Sequence, residues 1–224
     1  MREYQNPRAP EFIIRKYANS RLGKYGDFDY EKGGSTLDQQ IRGLIIPKVQ
    51  DCLNDFGKAN KRICEIGTAN GDVLASLQQF FTSRNFSFIG LDFSVTTTKF
   101  KYPTNVEWVA GYALDTIPQV KPDLIFASST FLLMNPAELE NYVNVLKENE
   151  CLDIIILDPF WGPNFDHNSK RKVSHHLERA TWVHNSSAYF KAAGYEQVAL
   201  EIFPFKHPIS SRPDVRQLIG HWRL

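Results

Sequence analysis

The stretch that decides the fold covers residues 62–74 and reads RICEIGTANGDVL. A short apolar run ends at Gly67, and helix-like sequence begins directly after Gly71. This pattern predicts a buried strand, a tight glycine turn and a helix whose N-terminus faces a ligand. Glycine suits such a turn because it tolerates positive φ and has no Cβ to block a close ligand. Glu65 lies near the carboxyl end of the predicted strand, which is where open α/β sheets bind ligands.

The same residues resemble the first motif of the class I S-adenosylmethionine (SAM)-dependent methyltransferases, which reads acidic-x-Gly-x-Gly-x-Gly. Ala69 replaces the middle glycine. The resemblance implies that SAM is the cofactor and S-adenosylhomocysteine (SAH) the product, with contacts from Glu65, Gly67, Thr68, Ala69, Asn70 and Gly71. Asp72 stands where the dinucleotide-binding pattern G-x-G-x-x-G has its third glycine, so a nicotinamide-dependent dehydrogenase fits poorly. The alternative is a glycine turn in an unrelated α/β protein.

The composition predicts an ordinary folded protein without a strong charge preference. The chain has 224 residues, of which 42% are hydrophobic, and its formal net charge is +1. That length suffices for a sizeable core, and the near-neutral charge does not favour nucleic acid as a partner. Two of the three cysteines, Cys64 and Cys151, fall in apolar runs, so we expect reduced thiols and a cytoplasmic location. The polar residues 1–11 are unlike a signal peptide, and no apolar run approaches the ~20 residues of a membrane span.

Buried strands alternate with helical patterns after the glycine turn. Further strands are predicted at residues 86–92, 105–111, 122–127, 152–158, 194–202 and 217–224, and helices at residues 72–81, from 135 onward and at 180–193. The resemblance implies a three-layer α/β/α sandwich around a seven-stranded, mostly parallel sheet whose last strand is antiparallel. It spans roughly residues 60–224, the SAM-binding domain. Residues 1–59 are expected to form a helical arm or lid, with residues 1–35 as a plain irregular arm in the alternative interpretation.

Several strand ends carry residues that suit the rest of the cofactor. Asp92 ends the second strand, where a carboxylate can accept both ribose hydroxyls of an adenosine ligand, although it can instead cap the following helix. Phe93 would then lie beside the adenine. Many class I methyltransferases have Gly-Asp-Ala after the third strand; this chain has Tyr112 and Ala113 after the glycine, so Tyr112 would stack on or hydrogen-bond the adenine instead. The resemblance also places Ser128 and Ser129 beside the sulfonium.

Candidate acceptor and catalytic residues follow the fourth and fifth strands. Phe131, Phe160 and Trp161 are predicted to form an apolar acceptor pocket, and core packing is the alternative for Phe131. An acceptor oxygen must lose a proton, and a neutral histidine near pH 7 is the usual base. His184 is the first candidate, His167 the second and Asp158 an alternative, while a histidine with no catalytic role is the competing interpretation. The resemblance implies no metal: catechol-type members bind magnesium with an acid after the fourth strand and an Asp-Asn pair after the fifth, where this chain has Ser128 and Asp158-Pro159.

The sequence therefore predicts a SAM-dependent methyltransferase that acts on the oxygen or nitrogen of a small molecule. The residues between the fifth strand and the next helix, 164–178, form either a solvated face or an insert that closes over the substrate. An RNA or protein methyltransferase is one alternative. The basic face that such an enzyme needs is suggested in this sequence only by the triplet at residues 170–172. A non-catalytic protein that binds SAM or another nucleotide is the other. The sequence leaves a homodimer open.

Overall fold

The computed structural model describes residues 36–57, 60–68, 71–92, 106–161, 170–176, 182–204 and 215–224. The predicted arm at residues 1–35 lies outside this part of the chain, as do the candidate site residues Ala69, Asn70, Phe93 and His167. Phe160 and Trp161 are described only as members of a strand.

Helices and strands alternate along the described chain. The helices are α1 (Thr36–Asp55), α2 (Asp72–Phe80), α3 (Ala113–Val120), α4 (Pro136–Glu148) and α5 (Ser186–Ala192), with a single 3-10 turn at Phe131–Leu133. The strands are β1 (Lys61–Ile66), β2 (Phe86–Asp92), β3 (Glu107–Ala110), β4 (Leu124–Ser128), β5 (Asp153–Trp161), β6 (Ser174–His176), β7 (Trp182–His184), β8 (Glu196–Pro204) and β9 (Val215–Arg223). None of the described helices combines the length and the apolar character that a membrane span requires.

Seven strands form one sheet in the order β3-β2-β1-β4-β5-β9-β8. The first five of these are parallel to one another, and β9 runs antiparallel to both β5 and β8. The predicted seven-stranded sheet with an antiparallel last strand is therefore confirmed. Because the chain winds in opposite directions from β1 and β4, a crevice opens between the carboxyl ends of these two strands, and α/β proteins of this type bind ligands there.

The sheet is buried on both faces, which produces the three predicted layers. Successive residues of β5 alternate between them: Ile154 and Ile156 pack with α3, α4 and α5, whereas Ile155 and Leu157 pack with α1 and α2. Such near-continuous apolar runs are typical of parallel strands covered by helices on both sides. The strand at residues 152–158 was recognisable for this reason.

The helix predicted at residues 180–193 is wrong in its first part. Residues 182–184 instead form β7, which pairs antiparallel with β6, with Ser174 opposite His184. The helix α5 begins only at Ser186. Pairing with a distant strand overrides the local helical pattern here, as tertiary contacts commonly do. Also, β5 continues beyond residue 158 to Trp161, since β9 pairs with it over its whole length.

Candidate cofactor and acceptor site

The turn after β1 requires both of its glycines. Gly67 and Gly71 have φ values of 71° and 73°, in the left-handed region. A Cβ on Gly67 would lie 2.3 Å from Thr130 Oγ1, and a Cβ on Gly71 would lie 2.1 Å from the ring of Trp108. The Gly67 N–H donates to Leu91 O (2.9 Å), which ties the turn to β2. Neighbouring side chains therefore hold the turn against the sheet, and side chains larger than hydrogen are excluded.

Glu65 is hydrogen-bonded to the glycine turn. It is buried near the end of β1, and the Thr68 hydroxyl donates a hydrogen bond to its Oε2 (2.8 Å). The strand and the turn are thus joined by two of the residues predicted to contact the cofactor. A carboxylate held at this edge can accept further hydrogen bonds from a ligand, since each ionised carboxylate has about four lone-pair sites.

Asp92 lies on the same edge of the sheet as Glu65. It is the last residue of β2 and is buried, and it is adjacent to Ala110 at the end of β3. Glu65 pairs with Gly90 of the same strand, so the two acids stand on neighbouring parallel strands two residues apart along β2. The two acids therefore lie at the same edge of the sheet, and their contact with an adenosine-containing ligand stays a prediction.

Trp108 is a residue of this site that the sequence interpretation missed. A Cβ on Gly90 would lie 2.5 Å from its ring, and the same ring lies over Gly71. The indole therefore crosses β2 and supports the glycine turn from the β3 side. A glycine inside a buried strand often marks such a close approach, and Gly90 was the available signal.

Tyr112 contacts a helix terminus in this structure. Its hydroxyl donates to Glu138 Oε1 (3.0 Å), and Glu138 in turn accepts from the Asn135 N–H (2.8 Å) in the capping box of α4. Burial raises the pKa of Glu138, while the bonds from Asn135 and Tyr112 oppose that shift. Ala113 is buried as the first residue of α3. Tyr112 therefore joins the starts of α3 and α4 next to the predicted adenine side.

The end of β4 carries a strained residue next to the glycine turn. Ser129 has φ 54°, a value that non-glycine residues seldom adopt, and its N–H donates to Leu157 O (2.8 Å). Thr130 then donates through Oγ1 to Ile66 O (3.0 Å), the last residue of β1. The predicted sulfonium-side residues Ser128 and Ser129 are thus fixed beside the turn. Thr130, which makes this connection, was not predicted.

Phe131 is fully buried in the hydrophobic core. Its ring makes edge contacts with Tyr142 (5.1 Å between ring centres) and Phe190 (6.3 Å). This is the core packing that the sequence left open as an alternative to an acceptor pocket. The 3-10 turn that begins at Phe131 covers the end of β5.

His184 has a hydrogen-bond partner at each ring nitrogen. Nε2 lies 3.0 Å from Met134 O and Nδ1 lies 2.7 Å from Ser174 Oγ, which also contacts the Tyr189 hydroxyl (2.8 Å). A neutral ring with its proton on Nε2 satisfies both contacts. Burial lowers the pKa of His184 from its ordinary 6.5 to about 4, against the opposing effect of backbone carbonyl acceptors. The ring links the β6–β7 hairpin to the segment after β4.

Asp158 differs from the other buried acids of the site. It is 6% exposed near the middle of β5, next to Leu157, which pairs with Ser128. In the described part of the chain, neither carboxyl oxygen has a hydrogen-bond donor. Burial raises the pKa of Asp158 well above its ordinary value, and the nearby backbone N–H groups of Leu132 and Thr130 oppose this shift without making well-formed hydrogen bonds. An unsatisfied buried polar group costs about 1–3 kcal/mol.

A group of metal-type ligands lies at the opposite edge of the sheet. Cys52, Asp153 and His221 offer ligand atoms within 4.8 Å of one another. However, Asp153 Oδ1 already accepts from Arg223 Nε (2.8 Å) and contacts His221 Nε2 (2.6 Å). The guanidinium of Arg223 supplies the positive charge here, so Asp153 forms an ion pair between a buried acid and a partly exposed arginine.

No protein-family model matches the sequence, and no curated protein is similar to it in sequence. Solved structures do match the fold. Magnesium protoporphyrin IX methyltransferase from Synechocystis PCC 6803 with bound SAM aligns with a TM-score of 0.60 and 14% identity, over 96% of this chain and 97% of that one. The 1,6-didemethyltoxoflavin-N1-methyltransferase of Burkholderia thailandensis, with 1,6-didemethyltoxoflavin and SAH bound, aligns with a TM-score of 0.64 and 10% identity, over 97% and 90% of the two chains.

These similarities establish the fold of the chain. Its sheet order and its antiparallel last strand are those of the class I methyltransferase fold, which its structural neighbours share. The resemblance noted at residues 65–71 is therefore confirmed at the level of the fold.

Proposed function

We propose that this protein is a SAM-dependent methyltransferase that acts on the oxygen or nitrogen of a small molecule. The observation that carries the proposal is the glycine turn with two buried carboxylates, Glu65 and Asp92, at the crevice of a class I methyltransferase fold. Both acids lie at the carboxyl edge of the sheet, where folds of this type bind ligands. The two glycines keep the turn close to the sheet, because Thr130 and Trp108 occupy the space that a Cβ would need. In this proposal residues 60–224 form the catalytic domain and residues 1–59 an arm beside it.

The residues present fit SAM in the following way. Gly67, Thr68 and Gly71 hold the methionine end together with Glu65, and Asp92 accepts hydrogen bonds from the ribose hydroxyls. Tyr112 and Ala113 lie on the proposed adenine side, and Ser128 and Ser129 on the proposed side of the sulfonium. When bound, SAM supplies a methyl carbon that is already electrophilic. The protein's task is then to orient the acceptor and to take its proton.

A small-molecule acceptor is supported by the neighbours and by charge. Two structural neighbours are methyltransferases of a protoporphyrin and of 1,6-didemethyltoxoflavin. The net charge of +1 gives no general attraction to nucleic acid. The three cysteines, Cys52, Cys64 and Cys151, are buried free thiols, in keeping with a reducing, cytoplasmic compartment.

Asp158 is better suited than His184 as the group that takes the acceptor's proton. Each ring nitrogen of His184 has a protein partner, so accepting a proton would require one of these bonds to break. The Asp158 carboxyl has no such bond to lose within the described residues. Burial also raises its pKa, which brings a carboxyl closer to the range useful for a base near neutral pH.

The direct test is release of SAH from SAM during incubation with a panel of small metabolites. We expect SAH to form with at least one small molecule, and the variants Glu65→Ala and Asp92→Ala to abolish it. Glu107→Ala removes an exposed acid of β3 and serves as the matched control, with unchanged turnover. Methyl transfer only to RNA or protein fractions would refute a small-molecule acceptor. SAM binding without any methyl transfer would indicate a non-catalytic SAM-binding protein.

A further inference from the structure

The carboxyl group of Asp158 is a buried polar group without a partner in the described part of the chain. Buried polar groups in folded proteins are nearly always hydrogen-bonded, so an exception requires a specific reason. A purely structural acid at this position would be expected to have donors, as Asp153 on the same strand does. The unused acceptor capacity therefore indicates a ligand that brings its own donors.

The position of Asp158 places its carboxyl next to the proposed methyl-transfer site. Leu157, its neighbour, pairs with Ser128 and accepts a hydrogen bond from the Ser129 N–H (2.8 Å). Asp158 thus lies on the strand next to β4. Just after β4, the Thr130 hydroxyl donates a hydrogen bond to Ile66 O (3.0 Å), which directly precedes the glycine turn. The carboxyl shares its face of β5 with Ile154 and Ile156, and the backbone N–H groups of Thr130 and Leu132 lie near it without forming well-aligned hydrogen bonds. A molecule held in line with the SAM methyl group would come within reach of it.

We propose that Asp158 binds the amino group of the methyl acceptor, so that the substrate is an amine that becomes methylated at nitrogen. This inference rests on the proposed function and specifies its substrate class.

An ammonium group matches the surroundings of Asp158 better than other acceptors do. It provides up to three N–H donors for two oxygens that accept no well-formed hydrogen bond from the described residues, together with the positive charge that a buried carboxylate needs. A hydroxyl offers one donor and no charge. An anionic acceptor would repel the carboxylate, because like charges in a buried site raise the free energy of both groups.

The reaction balances with Asp158 as the proton acceptor. The bound ammonium gives one proton to the Asp158 carboxylate and becomes a neutral amine with a free lone pair. The nitrogen then forms a bond to the methyl carbon, while the carbon–sulfur bond of SAM breaks and its electron pair stays on sulfur. The products are a methylated ammonium, SAH and a protonated Asp158, which returns its proton to solvent.

A test that does not require the natural acceptor compares SAH with sinefungin, a SAM analogue that carries an ammonium group in place of the S–CH3 group. We expect the wild-type protein to bind sinefungin at least tenfold more tightly than SAH, measured by titration calorimetry. Asp158→Asn should remove this preference and leave the SAH affinity within about threefold of wild type. Glu107→Gln, an exposed acid of β3, should retain the preference. An unchanged preference in Asp158→Asn would overturn the role of Asp158.

A second experiment identifies the atom of the acceptor that is methylated. Incubation of the metabolite panel with SAM that carries a trideuterated methyl group should place the label on nitrogen, as read by fragmentation in a mass spectrometer. Label on oxygen, carbon or sulfur would overturn the assignment of an amine while leaving the methyltransferase proposal intact. Failure of both SAH and sinefungin to bind the wild-type protein would instead refute the methyltransferase proposal itself, so the two failures are distinguishable.

Discussion

The strand β5 carries two buried aspartates whose surroundings are opposite. Asp153, at the amino end, accepts from Arg223 Nε (2.8 Å) and contacts His221 Nε2 (2.6 Å). Asp158, five residues further along the strand, accepts no well-formed hydrogen bond in the described part of the chain, although the backbone N–H groups of Leu132 and Thr130 lie nearby. Both side chains are less than a tenth exposed, so burial does not explain the difference. The amino edge of this sheet uses its acids for stability, whereas the carboxyl edge leaves one available for a ligand.

A second acid supports this distinction. Asp123, just before β4 at the amino edge, accepts from Lys61 Nζ (2.8 Å) and from the Arg62 N–H (2.8 Å). Backbone strain does not separate the two edges, since Lys121 and Glu150 before β4 and β5 adopt positive φ just as Ser129 does after β4. The difference lies in the hydrogen bonds of the buried acids, and unsatisfied buried groups are typical of functional sites.

The largest expected effect on stability comes from replacing Asp153, at the amino edge of the sheet. Asp153→Ala should lower the free energy of unfolding by about 4 kcal/mol, because it removes the buried charged acceptor of two hydrogen bonds, from Arg223 and His221, at about 2 kcal/mol each. Urea denaturation measures this change. The SAH affinity of the folded variant should match wild type, since Asp153 lies at the edge opposite the glycine turn. A stable variant with lost SAH binding would reverse the roles assigned to the two edges.

The second largest effect is the pH dependence of stability that His184 causes at the carboxyl edge of the sheet. Its folded-state pKa of about 4 lies below the unfolded value of 6.5, so the folded state resists protonation. Its contribution to stability is complete above pH 6.5 and is lost as the pH falls from 6.5 to 4, by about 3 kcal/mol in all. Urea denaturation at several pH values should therefore show a smaller loss of stability in His184→Gln than in wild type. The exposed His175→Gln is the control, and equal losses in all three proteins would contradict this account.

The glycine turn provides a third, smaller effect. Gly67→Ala should lower the free energy of unfolding by about 2 kcal/mol, since it forces a left-handed alanine against Thr130. SAH affinity should fall with it, because the turn must shift. Gly43→Ala is the matched control: a Cβ there meets nothing within 4 Å in the middle of α1, so the same exchange should stabilise the protein by up to about 1 kcal/mol. Equal effects in thermal unfolding of both variants would show that the turn is not constrained.

The smallest effect on stability is expected at Asp158. Asp158→Asn should change the free energy of unfolding by less than about 1 kcal/mol, because the exchange removes no hydrogen bond. The same exchange at Asp153 should be strongly destabilising, so denaturation of the two variants compares the edges directly. A loss at Asp158 as large as that at Asp153 would mean that Asp158 is a structural acid after all.

Local patterns in the sequence were sufficient to predict the fold and the glycine turn after β1. The apolar run of β5 and the glycines after β1 are properties of a few adjacent residues, and the structure has both. The contacts that Trp108 and Thr130 make with the turn depend on which strands become neighbours, so no local pattern reveals them. The start of α5 was misplaced for the same reason, because β7 forms only by pairing with β6.

Calorimetric titration with SAH tests the central claim most directly. We predict binding to the wild-type protein in the micromolar range, with NAD giving no heat of binding. Glu65→Ala and Asp92→Ala should abolish the SAH signal, whereas Asp153→Asn, where it remains folded, should retain it. No binding of SAH or SAM at high micromolar concentrations, or an unchanged affinity in both carboxylate variants, would contradict the placement of a SAM site at this edge of the sheet.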